Sequence, residues 1–127
     1  MRENRGFSVE IVECSKNLTA KERIAVKDTS DAIKLDAATQ EGAVIIDPDY
    51  FAVLKVHNEK SDDKEYTQYI IADKGGARYC TGSESFMNAF LDIFDEMAGE
   101  KEAWAVKAYR LPSKNRQGKD FITCSIV

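Results

Sequence analysis

The chain has 127 residues, 43% of them hydrophobic and 31% charged, with a formal net charge of −4 at pH 7. That length suits one domain with a core large enough to fold without staples, and the balance excludes a disordered tail. No run approaches the roughly 18 apolar residues of a spanning helix, so no membrane is expected as a partner, and a polyanion could be met only by a local cluster of Lys and Arg.

The charged start, Met1-Arg2-Glu3-Asn4-Arg5, lacks the continuous apolar stretch of a signal peptide, which points to the cytoplasm. In residues 7–14, Phe7, Val9 and Ile11 alternate with Ser8 and Glu10, the period of a half-buried strand. Residues 17–40 carry mixed signals: Thr19-Ala-Lys-Glu22 has the form of a capping box, yet Arg23-Ile-Ala-Val-Lys27 alternates as a strand would. Strand and short helix both stay open there. The apolar run 43–46 is stopped by Asp47-Pro48-Asp49, which reads as a turn. Residues 51–58 form an expected strand with Ala52, Leu54 and Val56 on one face and Val53, Lys55 and His57 on the other. After a polar loop at 59–64, residues 66–73 give a second strand, Lys74-Gly75-Gly76 a tight hairpin turn, and 77–80 a third strand.

The clearest element is a helix in which Phe86, Phe90, Phe94 and Met97 recur at helical spacing beside Met87, Leu91 and Ile93. Thr81 or Ser83 caps its start, and Gly99 ends it. Residues 103–111 and 120–127 then form a hairpin across Pro112-Ser-Lys-Asn-Arg-Gln-Gly-Lys119. In its second strand Ile122, Cys124 and Ile126 face one way, and Phe121, Thr123 and Ser125 the other.

Cys14, Cys80 and Cys124 make an odd count without CxxC spacing, and His57 is the single histidine. Reduced, mostly buried thiols are expected, with no metal site and no cofactor.

This order of elements predicts a mainly-β fold, an OB-fold-like five-stranded barrel with one α-helix between the strand meander and the C-terminal hairpin. A helix laid across an open antiparallel sheet is the alternative. In such a barrel the last loop borders the ligand. Here it carries Lys114, Arg116 and Lys119, with Arg110 at its base and Asn115 able to donate hydrogen bonds. Single strands also need flat side chains for base stacking. Lys107 and Tyr109 share a strand face, Phe121 lies opposite Ile122 and Cys124, and Tyr69, Tyr79, Tyr66 and Trp104 are further rings.

Two segments, Tyr79-Cys-Thr-Gly-Ser-Glu-Ser-Phe86 and Pro112-Ser-Lys-Asn-Arg-Gln-Gly-Lys-Asp-Phe-Ile-Thr-Cys-Ser125, resemble the small single-stranded DNA-binding proteins of bacteriophages and related mobile elements. The resemblance covers mainly the C-terminal half. It implies an OB-type fold, binding of single-stranded DNA with little sequence preference, replication or recombination proteins as partners, and residence in a bacterial host's cytoplasm; homodimerisation stays open. Bacterial relatives in function dock partners through a flexible acidic tail. This sequence stops at Ile126-Val127 within an expected strand, so recruitment by that route is not expected.

The signatures GxxxxGK[ST], GxGxxG, HExxH and GxSxG are absent, so no enzyme is expected. The alternative function is a protein-interaction module, such as a phage-encoded inhibitor acting through its acidic surface.

Overall fold

The alternation at the start of the chain becomes strand β1 (Phe7–Cys14) in the computed structural model, which describes residues 7–60, 65–112 and 120–127. The mixed stretch that follows resolves into short pieces. Helix α1 (Ala20–Lys27) begins on the capping box: the Glu22 amide donates to the Thr19 hydroxyl at 3.2 Å, and the Thr19 amide donates to the Glu22 carboxylate at 2.9 Å. Two donors that a helix start leaves orphaned are thereby satisfied, so the capping signal prevails over the strand-like alternation. The same backbone hydrogen bond holds the Glu22 carboxyl below its usual range. A 3-10 turn at Thr29–Asp31 leads to strand β2 (Ile33–Lys34) and helix α2 (Leu35–Glu41), which buries Leu35 and Thr39.

Strand β3 (Val44–Ile46) is separated by Asp47 alone from β4 (Pro48–Asn58). The expected turn at Asp47-Pro48-Asp49 is instead a corner at which the chain passes from one sheet to another. Proline cannot donate to a ladder and is tolerated as the first residue of a strand or at a bulge; Pro48 is both, since the β4 register slips between Pro48 and Tyr50. The Asp47 amide donates to Asp73 Oδ2 at 2.9 Å, and the Lys74 amide donates to the Asp47 carbonyl at 2.9 Å. These bonds tie the corner to the turn between β5 (Glu65–Asp73) and β6 (Arg78–Thr81). That turn needs its glycines: Gly76 sits at φ +100°, and a Cβ on Gly75 would meet Asp73 Oδ1 at 2.9 Å. Helix α3 (Glu84–Met97) is capped by Ser83, whose hydroxyl accepts the Phe86 amide at 3.2 Å. Strands β7 (Val106–Pro112) and β8 (Asp120–Ile126) close the order.

The strands form two sheets, one ordered β1-β4-β5-β6-β2 and the other β3-β7-β8. The mainly-β class stands, but the strands do not close into a five-stranded barrel, and three helices rather than one are present among the described residues. Burial explains the difference. A small barrel keeps one face of each strand inside, whereas here Ile70, Ile71 and Ala72 are buried in succession, so both faces of β5 are covered. On one face Tyr50, Ala52, Leu54, Val56, Ile70 and Cys80 pack with Val26 of α1. On the other, Phe51 and Ile71 meet Phe86, Met87 and Phe90 of α3 and Val106, Ala108, Ile122 and Cys124 of the smaller sheet.

Helix α3 therefore lies between the sheets, as its apolar stripe demands. Its aromatic row is continuous, with ring centroids 6.1 Å apart for Phe86–Phe90 and 5.7 Å for Phe90–Phe94. Phe51 meets Phe90 and Phe94 edge-on at 6.1 and 5.1 Å, an arrangement that aromatic quadrupoles favour. No helix among the described residues is long and apolar enough to cross a membrane.

Candidate nucleic-acid interface

The β7–β8 hairpin sorts its side chains by alternation. Val106, Ala108, Ile122 and Cys124 turn inward, and Cys124 Sγ lies 4.0 Å from the Phe86 carbonyl on α3. The Ser85 hydroxyl donates to the Ile122 carbonyl at 2.9 Å, which fastens the start of α3 to β8. The opposite parity faces outward. There Lys107 is flanked by Ile45 of β3 and Ser125 of β8, Tyr109 pairs with Thr123, and Leu111 pairs with Phe121.

Three candidate residues, Lys107, Tyr109 and Phe121, thus share the outer face of the three-stranded sheet. Phe121 is 37% exposed there beside its partner Leu111, and Ile45 is 54% exposed. The Tyr109 hydroxyl lies 2.7 Å from Ser125 Oγ, which fixes the phenol across the strands. The Lys107 ammonium sits 5.5 Å from the centroid of the Tyr109 ring, within cation–π range. Tyr109 and Phe121 occupy diagonal positions on adjacent strands, close enough for long side chains to act on one ligand.

Arg110 belongs to the other face. Its Nε donates to Thr39 Oγ1 at 3.1 Å, and its Nη2 donates to the Asp36 carbonyl at 2.5 Å. Asp36 in turn accepts from the Thr81 hydroxyl at 2.8 Å, so this guanidinium joins β7 through α2 to β6. The basic charge that the sequence assigns to the loop base is engaged in holding the two sheets together.

Tyr69, Tyr79 and Trp104 are half-buried against the core between the sheets, away from the outer face. Desolvation pushes the Tyr69 and Tyr79 phenols above their ordinary value, and Trp104 meets Phe94 edge-on at 6.2 Å. Lys114, Asn115, Arg116 and Lys119 lie outside the described residues; the segment that carries them leaves the hairpin at Pro112 and returns at its partner Asp120.

Ile45, Leu111, Thr123 and Ser125 join this face without having been singled out as site residues. Alternation alone assigns Thr123 and Ser125 to it, but Ile45 arrives only through the pairing of β3 with β7. Elsewhere, Cys80 and Cys124 are buried, Cys14 is half-buried, and all three are free thiols. His57 Nε2 lies 2.7 Å from a Glu59 carboxylate oxygen and Nδ1 3.6 Å from Glu65. Among the described residues no three His, Cys, Asp or Glu side chains gather closely enough to hold a metal ion.

Compared with known proteins, the chain matches no family model, no curated protein sequence and no solved structure.

Proposed function

We propose that the chain binds single-stranded DNA, with little sequence preference, on the outer face of the β3-β7-β8 sheet. The observation that carries the reading is the shared face of β7 and β8 on which exposed Lys107 and Phe121 flank a half-buried Tyr109, on a hairpin whose connecting sequence contains Lys114, Asn115, Arg116 and Lys119. Every base offers a π-face, so rings on such a surface hold a strand without reading it. A base settling on the Tyr109 ring displaces the Lys107 ammonium toward the phosphate beside that base. Phe121 takes a neighbouring base, and the sequence of 113–119 contributes further positive charge for phosphates. Protection or presentation of single strands in phage replication or recombination is the role that matches such binding.

A fluorescent oligo-dT titration tests this. Anisotropy rises on addition of the protein, duplex DNA of equal length competes weakly, and binding falls with added salt in proportion to the phosphates contacted. An oligo-U arm reports any preference for DNA over RNA. Replacing Lys114, Arg116 and Lys119 together by Ala weakens binding and flattens the salt dependence. Absence of oligo-dT binding at low salt overturns the proposal.

A further inference from the structure

Helix α3 conflicts with its own electrostatics at its carboxyl end. Its charged residues are Glu84, Asp92, Asp95 and Glu96, with no Lys, Arg or His. Carboxylates there oppose the partial negative charge of the unpaired helix carbonyls, and Asp92 repels Asp95 and Glu96 across three- and four-residue spacings. Asp92, Asp95 and Glu96 have no ion-pair partner among the described residues. At the same place the apolar stripe runs beyond what the core covers. Ile93 and Met97 stay half-exposed and, with Ile126 of β8 at 51% exposure, line a hollow of about 260 Å³ rimmed by Asp92 and Glu96. Unpaired carboxylates and open apolar surface thus meet at one place, a combination that a partner both cationic and apolar would relieve.

We propose that this hollow docks a basic segment of another protein, with one large apolar side chain seated on Ile93, Met97 and Ile126 and flanking Lys or Arg residues meeting Asp92 and Glu96. The volume suits one Leu, Met or Phe side chain and falls short of an ordinary small-molecule site. Charge decides the partner's character. Cations beside Asp92 and Glu96 relieve both the like-charge repulsion and the clash with the helix carbonyls, whereas a phosphate backbone is repelled. The surface is also separate from the nucleic-acid face: Ile126 shares its parity with Ile122 and Cys124, opposite to Phe121. One chain can therefore hold a polyanion and a cationic protein together, and the docking does not depend on the single-strand reading.

The test is a random-peptide display selection on the full chain, with counter-selection on Asp92→Lys/Glu96→Lys and, separately, on Ile126→Ser. Both variants change exposed side chains, and an unchanged melting temperature certifies that they are folded. The expected clones carry Leu, Met or Phe between Lys or Arg residues, and synthetic peptides of those sequences bind each variant about tenfold or more weakly than the parent. In the parent, the peptides shift the backbone amide resonances of Ile93, Met97 and Ile126. No enriched clones, clones without the basic-apolar pattern, or equal binding to parent and variants would overturn the proposal. So would self-association in sedimentation velocity that Ile126→Ser abolishes, since a second copy would then be the occupant.

Discussion

Replacing Phe121 by Ala separates a stacking ring from a packing ring. The side chain is 37% exposed on the outer face of the smaller sheet and lies opposite Leu111, so its removal costs the fold only the fraction of about 1 kcal/mol typical of a cross-strand pair. If a base stacks on it, the loss of binding is about 1–3 kcal/mol, or roughly a 5- to 160-fold rise in Kd. Tyr109 needs a different substitution because its hydroxyl lies 2.7 Å from Ser125 Oγ. Tyr109→Phe keeps the ring and gives up a hydrogen bond worth about 0.5–1.5 kcal/mol of stability, leaving oligo-dT affinity within about twofold. Lys107→Ala retains the rings and lowers the slope of log K against log salt by about 0.7, the value for one phosphate on a single strand. Anisotropy titrations of labelled oligo-dT at several salt concentrations read all three variants, with urea denaturation confirming that each is folded. A folded Phe121→Ala chain that binds within about twofold of the parent refutes the stacking argument.

Three further predictions concern the scaffold. Phe90 is fully buried between Phe51, Phe86 and Phe94, so Phe90→Ala should cost about 3–5 kcal/mol, read as a lowered urea midpoint at unchanged m-value. Arg110→Lys should destabilise by about 1–3 kcal/mol in thermal denaturation, because one ammonium cannot reproduce the guanidinium's two bonds to Thr39 and Asp36; an unchanged midpoint would dissolve the proposed link between the sheets. Burial pushes the Cys124 thiol up to about 12, from an ordinary 9.0. The unfolded chain releases that proton first, so this contribution is complete below the ordinary thiol range and is lost as pH climbs toward the folded value. The slope is at most about 1.4 kcal/mol per pH unit, and Cys124→Ala should flatten this alkaline limb in urea midpoints measured across it. Cys80, Tyr50, Tyr69 and Tyr79 are raised in the same direction by burial and steepen the parent's limb.

By itself the sequence determined the elements whose signals are short-range. The alternation in 7–14, the meander of 51–58, 66–73 and 77–80, the aromatic row from Phe86 to Phe94 and the two parities of the last strand all became the expected strands and helix. Each follows from a period or a cap spanning a few residues, as does the placement of Lys107 and Tyr109 on one strand face. Tertiary structure decided which strands share a sheet. Val44 to Ile46 pairs with β7 and not within the meander, Pro48 turns a corner between sheets where a turn was expected, and Ile70 and Ile71 are buried on opposite sides. It also committed Arg110 to α2 and drew Tyr69, Tyr79 and Trp104 against the core while leaving Phe121 outside. The cost of closing a loop grows only slowly with its length, so a partner many residues distant competes nearly as well as a near one. The burial that selects between them exists only once both faces of the larger sheet are covered.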